Sequence, residues 1–123
     1  IEPLGFEITD SKLKRAGLDY WKHVEVKNYP HWDAFESSRN PHAQILFFSK
    51  KIDSNFFEKK IEKEIYLVFG KETKGLPDWM LEKYASHLVQ LPMYDERIRS
   101  LNLSNCAAIA VYESLRQLES WGN

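Results

Sequence analysis

The segment Arg99-Ser100-Leu101-Asn102-Leu103-Ser104-Asn105 carries a guanidinium, two hydroxyls and two amides within two helical turns. It runs straight into Cys106-Ala107-Ala108-Ile109-Ala110-Val111-Tyr112, which is apolar on nearly every face and therefore reads as a buried helix. The first N–H groups of a helix lack intrahelical partners, and buried polar groups are costly when unpaired. A polar first turn on a buried helix therefore calls for a partner, and a ligand is one. Ser100 or Asn102 acting as an N-cap explains one such residue, not Ser100, Asn102, Ser104 and Asn105 together. Tyr112 and Glu113 follow two turns later, and Tyr112 reads equally well as a core tyrosine.

Two other stretches could do chemistry. In Phe69-Gly70-Lys71-Glu72-Thr73-Lys74-Gly75-Leu76-Pro77, the glycines permit tight turns and close approach to a ligand. Glu72 is a ligand contact or an anchored loop carboxylate. The loop lacks G-x-x-x-x-G-K-[ST], and no G-x-G-x-x-G occurs in the chain, so neither a P-loop nor a dinucleotide fingerprint is present. Spacing alone favours an ordinary strand-to-helix turn. Leu91-Pro92-Met93 is an apolar strand end able to offer backbone groups and a flat surface to a base.

The elements that must position these residues alternate between strand and helix. Ile1 to Leu4 reads as the end of a strand, and Asp10 caps a helix through Ala16 that stops at Gly17. His23 to Lys27 alternates as a strand does, and a short helix covers Trp32 to Ser37. Ile45 to Ser49 and Ile65 to Phe69 are continuous apolar strands, while Ile52 to Lys63 is charged and ambiguous. Pro77 opens a helix through Tyr84, His87 to Leu91 is a strand, and the last helix spans about Leu101 to Leu118. Doubly buried strands interleaved with helices predict an α/β fold with a mainly parallel sheet flanked by helices. Ligands in such sheets sit at the strands' carboxyl ends, which here lead into the loops after Phe48, Phe69 and Leu91.

The 123 residues suffice for one domain with a moderate core, and 43% hydrophobic and 14% aromatic content excludes disorder. No apolar run approaches the roughly 20 residues of a membrane span. A net charge of -1 excludes a globally basic nucleic-acid binder, although local clusters remain at Lys50, Lys71, Lys74, Arg97 and Arg99. The single cysteine, Cys106, rules out an internal disulfide and favours the cytoplasm. The four histidines lack metal-ligand spacing, so no metal is expected. Trp21, Trp32, Trp79 and Trp121 read as packing residues.

Phe69-Gly70-x-Glu72-x-x-Gly75-Leu76-Pro77, Leu91-Pro92-Met93, Arg99 to Asn105 and Tyr112-Glu113 resemble the second and third motifs of SPOUT-class RNA ribose methyltransferases. Ile1-Glu2-Pro3-Leu4-Gly5-Phe6 and Lys14-Arg15-Ala16-Gly17-Leu18-Asp19-Tyr20 narrow the resemblance to the TrmL (YibK) subfamily, the tRNA wobble-position cytidine/uridine ribose 2'-O-methyltransferases. The resemblance covers essentially the whole chain. It implies a single SPOUT domain over residues 1–123, a deep C-terminal trefoil knot, S-adenosylmethionine as methyl donor with S-adenosylhomocysteine as product, a tRNA anticodon loop as substrate, and a homodimer with the last helix near its interface.

Carried onto this chain, the resemblance implies cofactor contacts at Phe47, Gly70, Glu72, Leu91, Met93, Ser100 and Leu103. It implies catalytic-side roles for Asn105 and Tyr112, with Tyr112 facing the RNA. Lys50, Lys71, Lys74, Arg97 and Arg99, on or beside the three loops, are the candidate phosphate contacts. The family's first motif, N-x-G-N-x-x-R, has no match from Ile1 onward, and its arginine is the family's candidate for activating the ribose hydroxyl. That motif is expected upstream of Ile1. The alternatives are a binding module that holds cofactor or RNA without turnover, another SPOUT ribose methyltransferase, or an unrelated α/β domain.

Overall fold

The computed structural model describes residues 1, 26–50, 52–71, 74–92 and 103–118. The expected strand at Leu4, the helix from Asp10 and the start of the strand at His23 lie outside them. The chain divides into two compact units, Ile1–Pro41 and His42–Asn123.

In the first unit, helix α1 spans Trp32–Ser38. His31 precedes it in extended backbone, and its Nδ1 accepts the Ala34 N–H at 3.2 Å, so histidine does the N-cap work usual for Ser or Asp. Phe35 packs edge-on against Tyr29 and tilted against Trp32, with ring centroids 5.4 and 5.0 Å apart. Val26 and Lys27, expected to end a strand, have no regular structure.

The second unit is built on a parallel three-stranded sheet. Strands β1 (Gln44–Phe48), β2 (Ile65–Val68) and β3 (Leu88–Val89) lie in the order β2-β1-β3. Gln44 pairs with Ile65 and Phe47 with Val68 on one side of β1, and Phe48 pairs with Val89 on the other. Successive side chains alternate between faces. Leu46 joins Phe56, Ile61, Val89 and Ala110 in one core cluster, with Phe48, Ile65, Leu67, Phe69 and Leu91 packed against it. Phe47 points the other way and stacks on Tyr84, centroids 4.4 Å apart. Phe47, Phe56 and Val89 are fully buried, each worth about 1.5–3 kcal/mol of apolar transfer.

Helices cover both faces. Helix α2 (Asp78–Lys83) is entered through Pro77, whose φ of -61° is already set, and it carries Asp78 in its first turn and Lys83 in its last, as the helix dipole favours. It buries Met80 and is closed by the buried Tyr84. The expected helix through Tyr84 thus ends one residue early, in a 3-10 turn over Ala85–His87. Helix α3 (Leu103–Leu118) lies on the other face with Ala110 against the cluster. Ser114 is buried beside it and satisfied by donating to the Ala110 carbonyl at 2.8 Å.

The ambiguous stretch between β1 and β2 contains a 3-10 turn, Phe56–Glu58, capped by the Asn55 side chain. Two glutamines then hold residues 59–62. Gln117 of α3 accepts from the Ile61 N–H at 2.9 Å and donates to the Lys59 carbonyl at 3.1 Å. Gln44 of β1 accepts from the Glu62 N–H at 2.8 Å and donates to the Lys60 carbonyl at 3.1 Å. Each amide mimics a neighbouring strand's peptide group, so this charged segment is laced down without a ladder.

Helix α3 departs from the expectation of burial on every face. Ala110 is fully buried, but Val111 is 45% and Tyr112 63% exposed, and Ile109, Leu115 and Leu118 are exposed as well. The sheet covers one stripe of a helix, which is all one packing surface can reach.

Candidate active site

Because all three strands run parallel, their carboxyl ends meet at one edge. Hydrogen bonds lace that edge together. The Ser49 N–H donates to the Val89 carbonyl at 3.0 Å, the Phe56 N–H to the Gln90 carbonyl at 2.9 Å, and the Gln90 N–H to the Ser54 carbonyl at 2.8 Å. Phe48 and Phe69, at the ends of β1 and β2, stack nearly parallel with centroids 4.5 Å apart. Both are half-buried, and Leu91 is half-buried on the same face. The edge therefore holds a stacked aromatic pair, packed on the core cluster, with a branched apolar neighbour.

The expectation for Phe47 meets a different geometry. Its side chain is 0% exposed and committed to Tyr84 on the opposite face. Phe48, one residue on, shares a face with Leu91 and Phe69. An unbroken run of apolar residues carries no parity signal, so sequence alone could not choose between them. Leu91 and Leu103 are both half-buried.

Gly70 is required by backbone rather than by open space. A Cβ built on it would lie 2.1 Å from the Gly75 carbonyl carbon and 2.3 Å from the Leu76 nitrogen. The loop doubles back on itself, with Lys71 and Gly75 bridged and the Gly75 N–H donating to the Lys71 carbonyl at 2.8 Å. Gly75 itself has φ +66°, the left-handed region that glycine enters freely. Lys71 and Lys74 project from this loop into solvent.

Helix α3 brings its amino-terminal half towards the loop after β1. The half-buried Cys106 feels Lys50 electrostatically: burial pushes its thiol pKa up, and the Lys50 ammonium partly opposes that. Lys50 is exposed. Asn105 and Tyr112 are exposed too, and lie seven residues apart on one face of the helix. Tyr112 lines a shallow open groove with Phe57, Ala108, Ile109, Glu113 and Arg116. At its end Arg116 grips Glu113 with two hydrogen bonds, at 2.7 and 3.0 Å. Those bonds hold the Glu113 carboxyl below its usual range, against the opposing effect of burial.

Glu72, Met93, Arg97, Arg99, Ser100 and Asn102 lie outside the described residues, so the polar run ahead of α3 enters the description only at Leu103. Among the described residues no cluster of His, Cys, Asp and Glu could hold a metal ion. No described helix is long and apolar enough to cross a membrane.

The profile of the SpoU rRNA methylase family matches residues 1–112. The chain belongs to this family. A relative from Burkholderia cenocepacia (strain HI2424), named tRNA (cytidine(34)-2'-O)-methyltransferase, is 40% identical over 119 residues, covering 95% of this chain and 76% of that protein. A solved structure described as giving structural insights into the 2-OH methylation of C/U34 on tRNA superposes with a TM-score of 0.84 at 38% identity, over 96% of this chain and 71% of that one. An AdoMet-bound rRNA methyltransferase from Sinorhizobium meliloti superposes with a TM-score of 0.52 at 26% identity, over 62% of this chain and 29% of that one. The sheet flanked by helices is the SpoU fold, and the chain is a methyltransferase of that class.

The described residues fit the apolar part of such a family's methyl donor. The stacked Phe48–Phe69 pair and Leu91 give the strand-end edge an apolar lining. Among the described residues every buried side-chain polar atom already has a partner.

Proposed function

We propose that this SpoU-family chain transfers the methyl group of S-adenosylmethionine to the ribose 2'-oxygen of the wobble nucleotide, cytidine or uridine 34, in a tRNA anticodon loop. The observation that carries this reading is the likeness of the chain, at 38% identity and a TM-score of 0.84, to the structure described for C/U34 methylation. The donor, when bound, supplies a methyl carbon already activated by a positive sulfur. The chain's part is alignment, worth roughly 7–11 kcal/mol in favourable systems. Phe48, Phe69, Gly70, Leu91 and Leu103 shape the donor side, with Glu72, Met93 and Ser100 assigned to it by family resemblance. Asn105 and Tyr112 face the acceptor, whose 2'-hydroxyl must give up its proton as the new bond forms. Lys50, Lys71 and Lys74, with Arg97 and Arg99, meet the phosphates.

The same reading takes residues 1–123 as one methyltransferase domain with a C-terminal knot, acting in the cytoplasm where its tRNA substrate is. It takes the active form as a homodimer. The support is the uncovered outer face of α3, where Ile109, Tyr112 and Leu115 are exposed beside Phe57. An apolar face of this kind marks an interaction surface. The test is transfer of labelled methyl from S-adenosylmethionine to unmodified tRNA by the full-length protein, with the labelled nucleotide mapped. Label on the 2'-oxygen of nucleotide 34 is the expected result. Tight S-adenosylhomocysteine binding without transfer assigns the chain to the binding-module reading, and label elsewhere assigns another ribose target.

A further inference from the structure

Of the tryptophans the sequence left as packing residues, two fall among the described residues, and they part company. Trp32 is buried, whereas Trp79 is 48% exposed. Trp79 is the second residue of α2, one position before the buried Met80, so its ring projects about 100° around the helix from the face that packs. No hydrogen-bond or ring partner holds it among the described residues. The other exposed aromatic and branched side chains of the second unit gather on α3 and Phe57; Trp79 stands apart from them, after the carboxyl end of β2.

Exposed lysines lie on the loop that leads into its helix. Lys71 and Lys74 are exposed on the loop that closes against Gly75, seven and four residues before the first residue of the helix that carries Trp79. Lys83, one turn after Trp79 on the same side of α2, has its ammonium 5.4 Å from the Tyr84 ring centroid. Asp78 and Glu82 are also exposed on α2. With Glu72 on the same loop, residues 71–83 carry three lysines and three carboxylates, so what this stretch offers is a bare indole with individual exposed lysines on its own helix and the preceding loop. An unpaired nucleotide has the complementary pattern, a flat π-face flanked by phosphates.

We infer that Trp79 is a stacking platform for an unpaired base of the RNA substrate, with Lys71 and Lys74 taking the adjoining phosphates. This rests on the tRNA reading above and adds to it a specific base-contacting residue on the loop–helix junction after β2. It makes Trp79 a binding residue, distant in role from the methyl donor. Stacking accepts any base, so the residue contributes grip rather than sequence choice.

The experiment compares Trp79→Ala and Trp79→Phe with the parent protein, in tRNA methylation kinetics and in filter binding of tRNA. Loss of one stacked base, about 1–3 kcal/mol, corresponds to a roughly 5- to 160-fold rise in KM and Kd for tRNA with Trp79→Ala. Trp79→Phe recovers most of it. The KM for S-adenosylmethionine and kcat at saturating tRNA stay unchanged in both, which a merely structural defect would not allow. Unchanged tRNA affinity with Trp79→Ala overturns the inference, as does a change in sedimentation coefficient in its place, which assigns Trp79 to a protein interface. If the parent binds tRNA without methylating it, the enzymatic reading fails, while the Kd comparison still decides the stacking role.

Discussion

Replacing Gly70 by alanine separates a glycine needed for backbone approach from one needed for its dihedral angle. The added Cβ would sit 2.1 Å from the Gly75 carbonyl carbon, 2.3 Å from the Leu76 nitrogen and 2.6 Å from the Gly75 oxygen. Ordinary carbon contacts lie at about 3.5–4.0 Å, so the 75–76 backbone must retreat by more than ~1 Å. All three neighbours are main chain, and no side chain can swing aside. The retreat breaks the hydrogen bond from the Gly75 N–H to the Lys71 carbonyl, worth ~1 kcal/mol, and draws the buried Leu76 from its seat, worth up to ~2 kcal/mol. Urea unfolding of Gly70→Ala should show a loss of ~2–3 kcal/mol. Calorimetric titration with S-adenosylhomocysteine should show ~100-fold weaker binding, the scale of a 1 Å misplacement in a binding loop. Gly75 is the internal control. It has φ +66° but nothing within 4 Å of its would-be Cβ, so Gly75→Ala should cost only the ~1–2 kcal/mol of left-handed backbone and Gly75→Asn less. Equal stability and affinity for Gly70→Ala and the parent would refute the reasoning, as would greater damage from Gly75→Ala.

Gln117→Leu removes the partner of the Ile61 N–H and the Lys59 carbonyl and should lower the urea-unfolding free energy by about 1–3 kcal/mol; an unshifted midpoint would mean water replaces the clamp. Glu113 has its pKa lowered chiefly by the Arg116 hydrogen bonds, so its contribution is present above the ordinary carboxylate pKa and lost as pH falls through the lowered one. Glu113→Gln should therefore flatten the acid limb of a stability–pH curve while leaving its alkaline limb in place, and an identical acid limb would count against it. The Cys106 thiol, pushed up by burial, should react slowly with iodoacetamide at neutral pH. Lys50→Gln removes the opposing charge and should slow alkylation further; a faster rate would place Lys50 as a shield instead.

The strands were legible because β1 and β2 are short apolar runs bounded by turn residues, and the parallel sheet followed from their alternation with helices. β3 was legible in place but not in length. Two residues complete its ladder to β1, and beyond them Gln90 pairs with the segment at Asn55, a partner no local pattern announces. At the β1 end, Phe47 faces Tyr84 while Phe48 shares a face with Leu91, an orientation the apolar run does not reveal because side-chain parity depends on where the ladder begins. The Gly70–Gly75 loop was recognised from its glycines, yet their separate duties appear only when the loop's return path is known. The clamp by Gln44 and Gln117 left no sequence signal, since two glutamines 73 positions apart share nothing but a destination.

The last helix is where sequence and structure bear most on each other. Its apolar composition implied covering on every side, and the sheet covers only the stripe through Cys106, Ala110 and Ser114. Asn105, Ile109, Tyr112 and Arg116 follow the opposite side at spacings of four, three and four, which returns each to nearly the same angle. Asn105 and Tyr112 therefore stand about 10 Å apart along one line, facing away from the core. A tyrosine serving only the core would not lie 63% exposed, so the plain packing role is the reading that fails. The composition is right about the need and silent about the partner. An apolar helix with two faces requires two surfaces, and the second copy proposed above would supply the one the sheet does not. On that arrangement the acceptor-side candidates sit at the edge of a subunit interface, and mixing Tyr112→Phe chains with Gly70→Ala chains should restore activity only if each site draws Tyr112 from its neighbour.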